Sequence, residues 1–99
     1  MKKSISLACV VVANRDQISA ELEGETVVLH LPSGTYFGLN PVGSSVWRLL
    51  GRPRSVRQIQ EALLEEFDVE PPPCQRDLLV FLNQLWSERL IDVRDGLPA

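Results

Sequence analysis

The side chains able to do chemistry are few in this chain, and their spacing argues against catalysis. The single histidine, His30, sits in VVLHL with no cysteine or carboxylate at metal-ligand spacing and belongs to no catalytic triad pattern, so a histidine satisfied within a strand is expected. Cys9 and Cys74 have neither ligand spacing nor a close partner, which points to reduced thiols. Glu61, Glu65, Glu66, Asp68 and Glu70 cluster on one helix face and its end, the pattern of a solvated surface. Gly34, Gly38 and Gly43 lie near one another but lack the lysine and glycine-rich turn of a phosphate loop. The expectation is therefore a non-enzyme with no catalytic residues, no metal site and no cofactor.

Arg48, Arg52, Arg54 and Arg57 fall close together with no acid among them. Strands followed by three helices with a basic inter-helix loop is also how a winged helix-turn-helix DNA-binding domain reads. Against that, the third helix, which would have to read bases, offers Gln75, Arg76, Asp77, Asn83, Gln84 and Glu88, and the formal net charge is −3. Nucleic-acid binding is thus the alternative reading. The arginines otherwise serve as a docking patch for a partner enzyme or as solvated surface.

The elements that would position any site are organised around Gly34 to Leu50, GTYFGLNPVGSSVWRLL, a short strand running straight into a capped helix. Thr35, Tyr36 and Phe37 favour extended backbone, and Gly38 leaves a gap in side-chain cover. Asn40 as N-cap with Pro41 at the first helical position is a helix start with a mechanism: the asparagine accepts an orphan amide hydrogen bond and the proline has no amide to satisfy. Val42, Val46, Leu49 and Leu50 continue at helical spacing beside Trp47, with Gly51 as the stop.

Before that stretch the chain reads as successive strands, ACVVVA, ISAELE and TVVLHL, with TYFGL the last strand of an antiparallel meander and a candidate open edge. The separators are Asn14 to Gln17, Gly24 and Pro32-Ser33-Gly34. Val27, Leu29 and Leu31 alternate with Val28 and His30, the period of a strand with one buried face. Whether Cys9 to Ala13 pairs within the chain or across a dimer is left open by the sequence.

After it, Ser55 with Gln58 is a capping-box signature that starts a second helix at Val56, with Ile59, Ala62, Leu63 and Phe67 as its apolar face. The prolines at 71 to 73 are expected to hold the chain extended. A third helix is predicted from about Cys74 to Arg89, with Leu78, Phe81, Leu82 and Leu85 on one face and Leu79, Val80 and Trp86 widening the apolar sector. That width is either covered by the sheet and the other helices or partly turned to a groove. Leu90, Ile91 and Val93 form a short extended tail.

At 99 residues the chain is expected to be one domain, residues 1–99, near the lower limit for a self-sufficient core. Hydrophobic content of 44% without an apolar run near 18 residues fits a globular protein with no membrane span. The start, MKKSISLACVVVANR, imitates a secretory signal, but no small-x-small cleavage site follows its short apolar run. A cytoplasmic protein is the expectation.

Three segments, VVLHLPSGTYFGLNPVGSSVWRLL, SVRQIQEALLEEFDVEP and RDLLVFLNQLWSERLI, together resemble the PqqD-like family, the recognition elements for ribosomally made, post-translationally modified precursor peptides. The resemblance covers about Ile18 to Val93. With TYFGLNPVG in the strand and Trp47 in the next helix, the chain is most similar to the discrete recognition proteins of lasso-peptide clusters, and a PqqD-type chaperone of pyrroloquinoline quinone synthesis is the alternative. The resemblance implies an α+β, winged helix-turn-helix-like fold, a three- to four-stranded antiparallel sheet followed by three helices. It implies that the leader segment of a precursor peptide adds as an antiparallel strand to Thr35, Tyr36, Phe37, Gly38 and Leu39, beside Asp77, Val80, Phe81 and Gln84 of the third helix. The partners implied are that precursor, a leader peptidase and an ATP-dependent cyclase. An edge strand containing a glycine, next to apolar side chains, is physically suited to strand addition.

Overall fold

The computed structural model describes residues 5–94. The lysines of the signal-like start, and the two ends of the expected 1–99 domain, lie outside the described residues. Strand β1 (Val10–Ala13) is followed by β2 (Gln17–Leu22), β3 (Glu25–His30) and β4 (Thr35–Leu39), then α1 (Pro41–Leu49), β5 (Arg54–Ser55), α2 (Val56–Glu66), α3 (Pro71–Ser87) and β6 (Ile91–Arg94). The fold is α+β, with two antiparallel three-stranded sheets in the orders β2-β3-β4 and β5-β1-β6.

The first sheet is the expected meander less its first strand. Leu22 pairs with Glu25 around a two-residue turn in which Glu23 (φ 52) and Gly24 (φ 85) both take the left-handed conformation that matches hairpin twist. Across the β3–β4 turn, the Gly34 amide donates to the His30 carbonyl at 2.8 Å with Gly34 at φ 69, and His30 Nδ1 lies 2.7 Å from Ser33 Oγ. The lone histidine is buried and satisfied within the turn. In β3 the buried face is Thr26, Val28 and His30, while Val27 and Leu29 turn to the outer side.

Strand β1 does not join the meander. It pairs with β5 and, over Val10–Ala13, with β6, so the expected extended tail is the partner of the first strand within the same chain. Val11 is fully buried there, the Ala13 amide donates to the Leu50 carbonyl at 2.8 Å, and the Asn14 amide donates to the Leu90 carbonyl at 3.0 Å. Burial of Val11 among elements that come later in the chain outweighs the local tendency to form a hairpin with β2.

The helix starts follow their capping chemistry. Asn40 Oδ1 accepts from the Gly43 amide at 2.8 Å. Ser55 Oγ accepts from the Gln58 amide at 3.1 Å, while Gln58 Oε1 accepts from the Ser55 amide at 3.0 Å, completing a capping box. Two expectations are corrected. Gly51 has no positive φ, and α1 ends instead on Leu50 in right-handed geometry (φ −76, ψ −1). The three prolines do not hold an extended segment; they form the first turn of α3, where helical amides lack partners in any case. Val46, Leu50, Ile59, Leu63, Leu78 and Leu82 form the centre of a continuous core.

Candidate functional site

Strand β4 has a ladder partner, β3, on one side only, so its other row of amides and carbonyls is unpaired within the sheet. Strand geometry sends its side chains alternately to two faces. Leu39 is buried and Phe37 half-buried on the inner face, whereas Tyr36, 70% exposed, and Gly38 are on the outer face. The end of β4 is fixed without a linker: Ser44 Oγ donates to the Leu39 carbonyl at 3.3 Å and accepts from the Thr26 amide at 3.0 Å, tying β4, β3 and α1 together.

Beside β4 lies a groove whose far wall is α3. Its shallower half is lined by Tyr36, Phe37, Gly38, Leu39, Phe81, Gln84, Leu85, Ser87 and Glu88. Its deeper half, about 390 Å³, continues past the end of β4 between the start of α1, the end of α2 and the proline turn of α3. Gly38, Leu39 and Phe81 belong to both halves.

Position along α3 decides which side chains face this groove. Cys74, Leu78, Leu82 and Leu85 point to the core. One step round the helix, Asp77, Phe81, Gln84 and Glu88 form the stripe that meets the groove. Gly43 permits the close approach of α1 to this wall, because a Cβ there would lie 3.3 Å from Phe81 Cζ and 3.2 Å from Asn40 Oδ1.

Of the residues expected at the site, Tyr36, Phe37, Gly38, Leu39, Asp77, Phe81 and Gln84 are brought together around the groove. Thr35 lies at its open end, by Glu88 and Arg89. Val80 is not part of it: 54% exposed, it borders a shallow depression on the other flank of α3 with Arg76, Leu79 and Asn83. The wide apolar sector of the third helix is thereby divided, with core on one side, groove on the next, and Val80 on the solvent flank.

Sequence reasoning missed the deeper half, built from Asn40, Val42, Gly43, Phe67, Val69 and Pro73. Its one available signal was the glycine inside a helix, which indicates close approach. Cys74 also lines it; burial pushes its thiol pKa up and the nearby Asp77 carboxylate pushes it further, so both favour the protonated thiol. Among the described residues no cluster of histidine, cysteine or carboxylate groups could hold a metal ion, and no helix is long and apolar enough to cross a membrane. The arginine cluster lies away from the groove and is partly committed: Arg48 pairs with Glu21 at 2.7 Å, and Arg54 Nε donates to the Leu49 carbonyl at 2.7 Å.

Comparison with solved structures finds the same arrangement of chain. The structure described as TbiB1 in complex with the TbiA(beta) leader peptide is 37% identical, covers 89% of this chain and 99% of that one, and superposes with a TM-score of 0.75. A lasso peptide synthetase B1 complexed with the leader peptide, 22% identical, covers 89% and 98% of the two chains with a TM-score of 0.72 and shares the fold. No curated protein sequence matches at a significant level. The family profile described as Coenzyme PQQ synthesis protein D (PqqD) matches residues 25–91, and the chain belongs to the PqqD family.

Proposed function

We propose that this protein is a non-catalytic module, a single recognition domain, that binds the leader segment of a ribosomally synthesised precursor peptide. The leader adds as a strand to the free edge of β4 and places its inward side chains in the groove against α3. The module then presents the precursor to separate maturation enzymes, a leader peptidase and a cyclase, in the cytoplasm. The observation that carries this reading is the unpaired edge of β4 set against an apolar wall, the two requirements of strand addition. The 37% identical relative described in complex with a leader peptide supports a peptide ligand. Lasso-peptide maturation is the pathway we propose, with a PqqD-type role in coenzyme PQQ synthesis as the alternative.

The energetics suit a specific but modest interaction. About four backbone hydrogen bonds at roughly 1 kcal/mol and two buried side chains at roughly 2 kcal/mol amount to about 8 kcal/mol gross. Association costs consume much of that, so affinity depends on how well side chains fill the groove.

Titration of a fluorescently labelled leader peptide and of labelled duplex DNA, each at low and moderate salt, tests the reading. Leader binding that changes little with salt is expected, because backbone pairing and apolar burial are weakly screened. Duplex binding by phosphate contacts would fall steeply with salt. Tight, sequence-selective duplex binding without leader binding would replace this reading with the winged-helix one.

A further inference from the structure

The charged groups that line the two halves of the groove are Asp77 and Glu88, and among the described residues no lysine or arginine lines either half. Both acids belong to the α3 stripe that carries Phe81 and Gln84, one toward each end of it. Two arginines are nearby, on the flanks. Arg76 borders the depression beside Val80, and its Nε reaches Asp77 Oδ1 at only 3.9 Å with both side chains largely exposed. Arg89 follows the helix in left-handed backbone (φ 61) and sits by Glu88 at the Thr35 end. Neither offers the groove a buried counter-charge.

Resting on the leader-binding reading, we propose that the peptide held here carries two basic side chains, one facing Asp77 and a second facing Glu88. Geometry sets their spacing and order. Asp77 in α3 and Glu88 at its C-cap are eleven positions apart, about 16 Å of helix; an extended peptide spans this in about four to six residues, and two side chains on the same strand face need an even spacing, about four or six. Asp77 lines the groove with Leu39 and Asn40, and Glu88 lines it with Tyr36 and Phe37, so α3 and β4 run in opposite directions. A peptide antiparallel to β4 therefore runs with α3, its earlier cation meeting Asp77 and its later one Glu88. An apolar groove rimmed by two like charges would hold a neutral peptide by shape alone. The acids add selection for charge and register, since a slip by one residue turns every strand side chain to the opposite face.

The test is selection of a displayed library of random 15-residue peptides on the immobilised wild-type protein and on the Asp77→Lys/Glu88→Lys double variant. Wild type is expected to enrich peptides with lysine or arginine at two positions about four or six residues apart, on one strand face, and the double variant to enrich acids there. For a selected peptide, replacing either base by glutamine should weaken binding about two- to fivefold, the size of an exposed ion pair. The Asp77→Asn/Glu88→Gln variant should bind the same peptide several-fold more weakly, with unchanged thermal unfolding. Selected peptides without enriched bases, or the same peptides selected on all variants, would overturn the charge proposal while leaving the peptide-binding reading in place. Failure of wild type to select any peptide would overturn both.

Discussion

The meander has two free edges, and they are built differently. Strand β2 presents an exposed row from Ile18 to Leu22 that carries Glu21, held by Arg48 at 2.7 Å. Strand β4 carries no charged residue and stands against α3, with Leu39 buried and Phe37 half-buried at the groove. Either edge offers unpaired amides and carbonyls, so hydrogen bonding alone cannot choose between them. A charge on an edge discourages strand addition, and a neighbouring apolar wall rewards it. The difference shows that a specific strand-addition site is made by the helix beside the strand as much as by the strand.

The largest expected effect separates the two sides of that wall. Leu82 is fully buried on the core side of α3, and Leu82→Ala should cost about 2–5 kcal/mol of stability, read from urea denaturation. Its neighbour Phe81 faces the groove. Phe81→Ala removes an aromatic contact worth roughly 1.5–3 kcal/mol and should weaken leader binding about tenfold to a hundredfold, measured by fluorescence anisotropy. Equal loss of affinity in folded samples of both variants would erase the distinction between core flank and groove flank.

Gly38→Val sharpens the view of β4 itself. Beyond its two chain neighbours, no residue comes within 4 Å of a Cβ built at Gly38, and the alternation with buried Leu39 sends that side chain to the outer face. Valine should therefore raise stability by about 0.5–1 kcal/mol and leave leader affinity within a few-fold. A large loss of affinity would mean that the leader also wraps onto the outer face beside Tyr36. The smallest effect belongs to β2: Glu21→Gln removes the exposed pair with Arg48, which should lower stability by at most about 1 kcal/mol, with no change in leader titration.

Much of this was legible in the sequence because its cause is local. Asn40-Pro41 and Ser55 with Gln58 carry their own capping chemistry, and Gly24 marks a turn that needs positive φ. The hidden features are set by distant partners. Val10–Ala13 is a strand by composition, but its pairing with Ile91–Arg94 depends on Val11 being buried by residues that come long after it. The prolines illustrate a different blind spot: the same three residues that break a helix interior are tolerated in a first turn, and the choice depends on whether a helix-forming run continues from Cys74 onward. At the site, the family resemblance placed Asp77, Val80, Phe81 and Gln84 on one wall, whereas Val80 falls on the next flank; neighbouring stripes cannot be told apart until the core direction of α3 is fixed. The deep half of the groove joins the ends of separate elements, and the glycine inside α1 is its one local signal.

The most direct measurement is amide hydrogen exchange by NMR on the protein alone and saturated with its leader peptide. Strand addition at β4 requires slowed exchange within Thr35–Leu39, with Gln17–Leu22 unchanged. New protection confined to Gln17–Leu22, or leader binding that protects no strand amide, would contradict it.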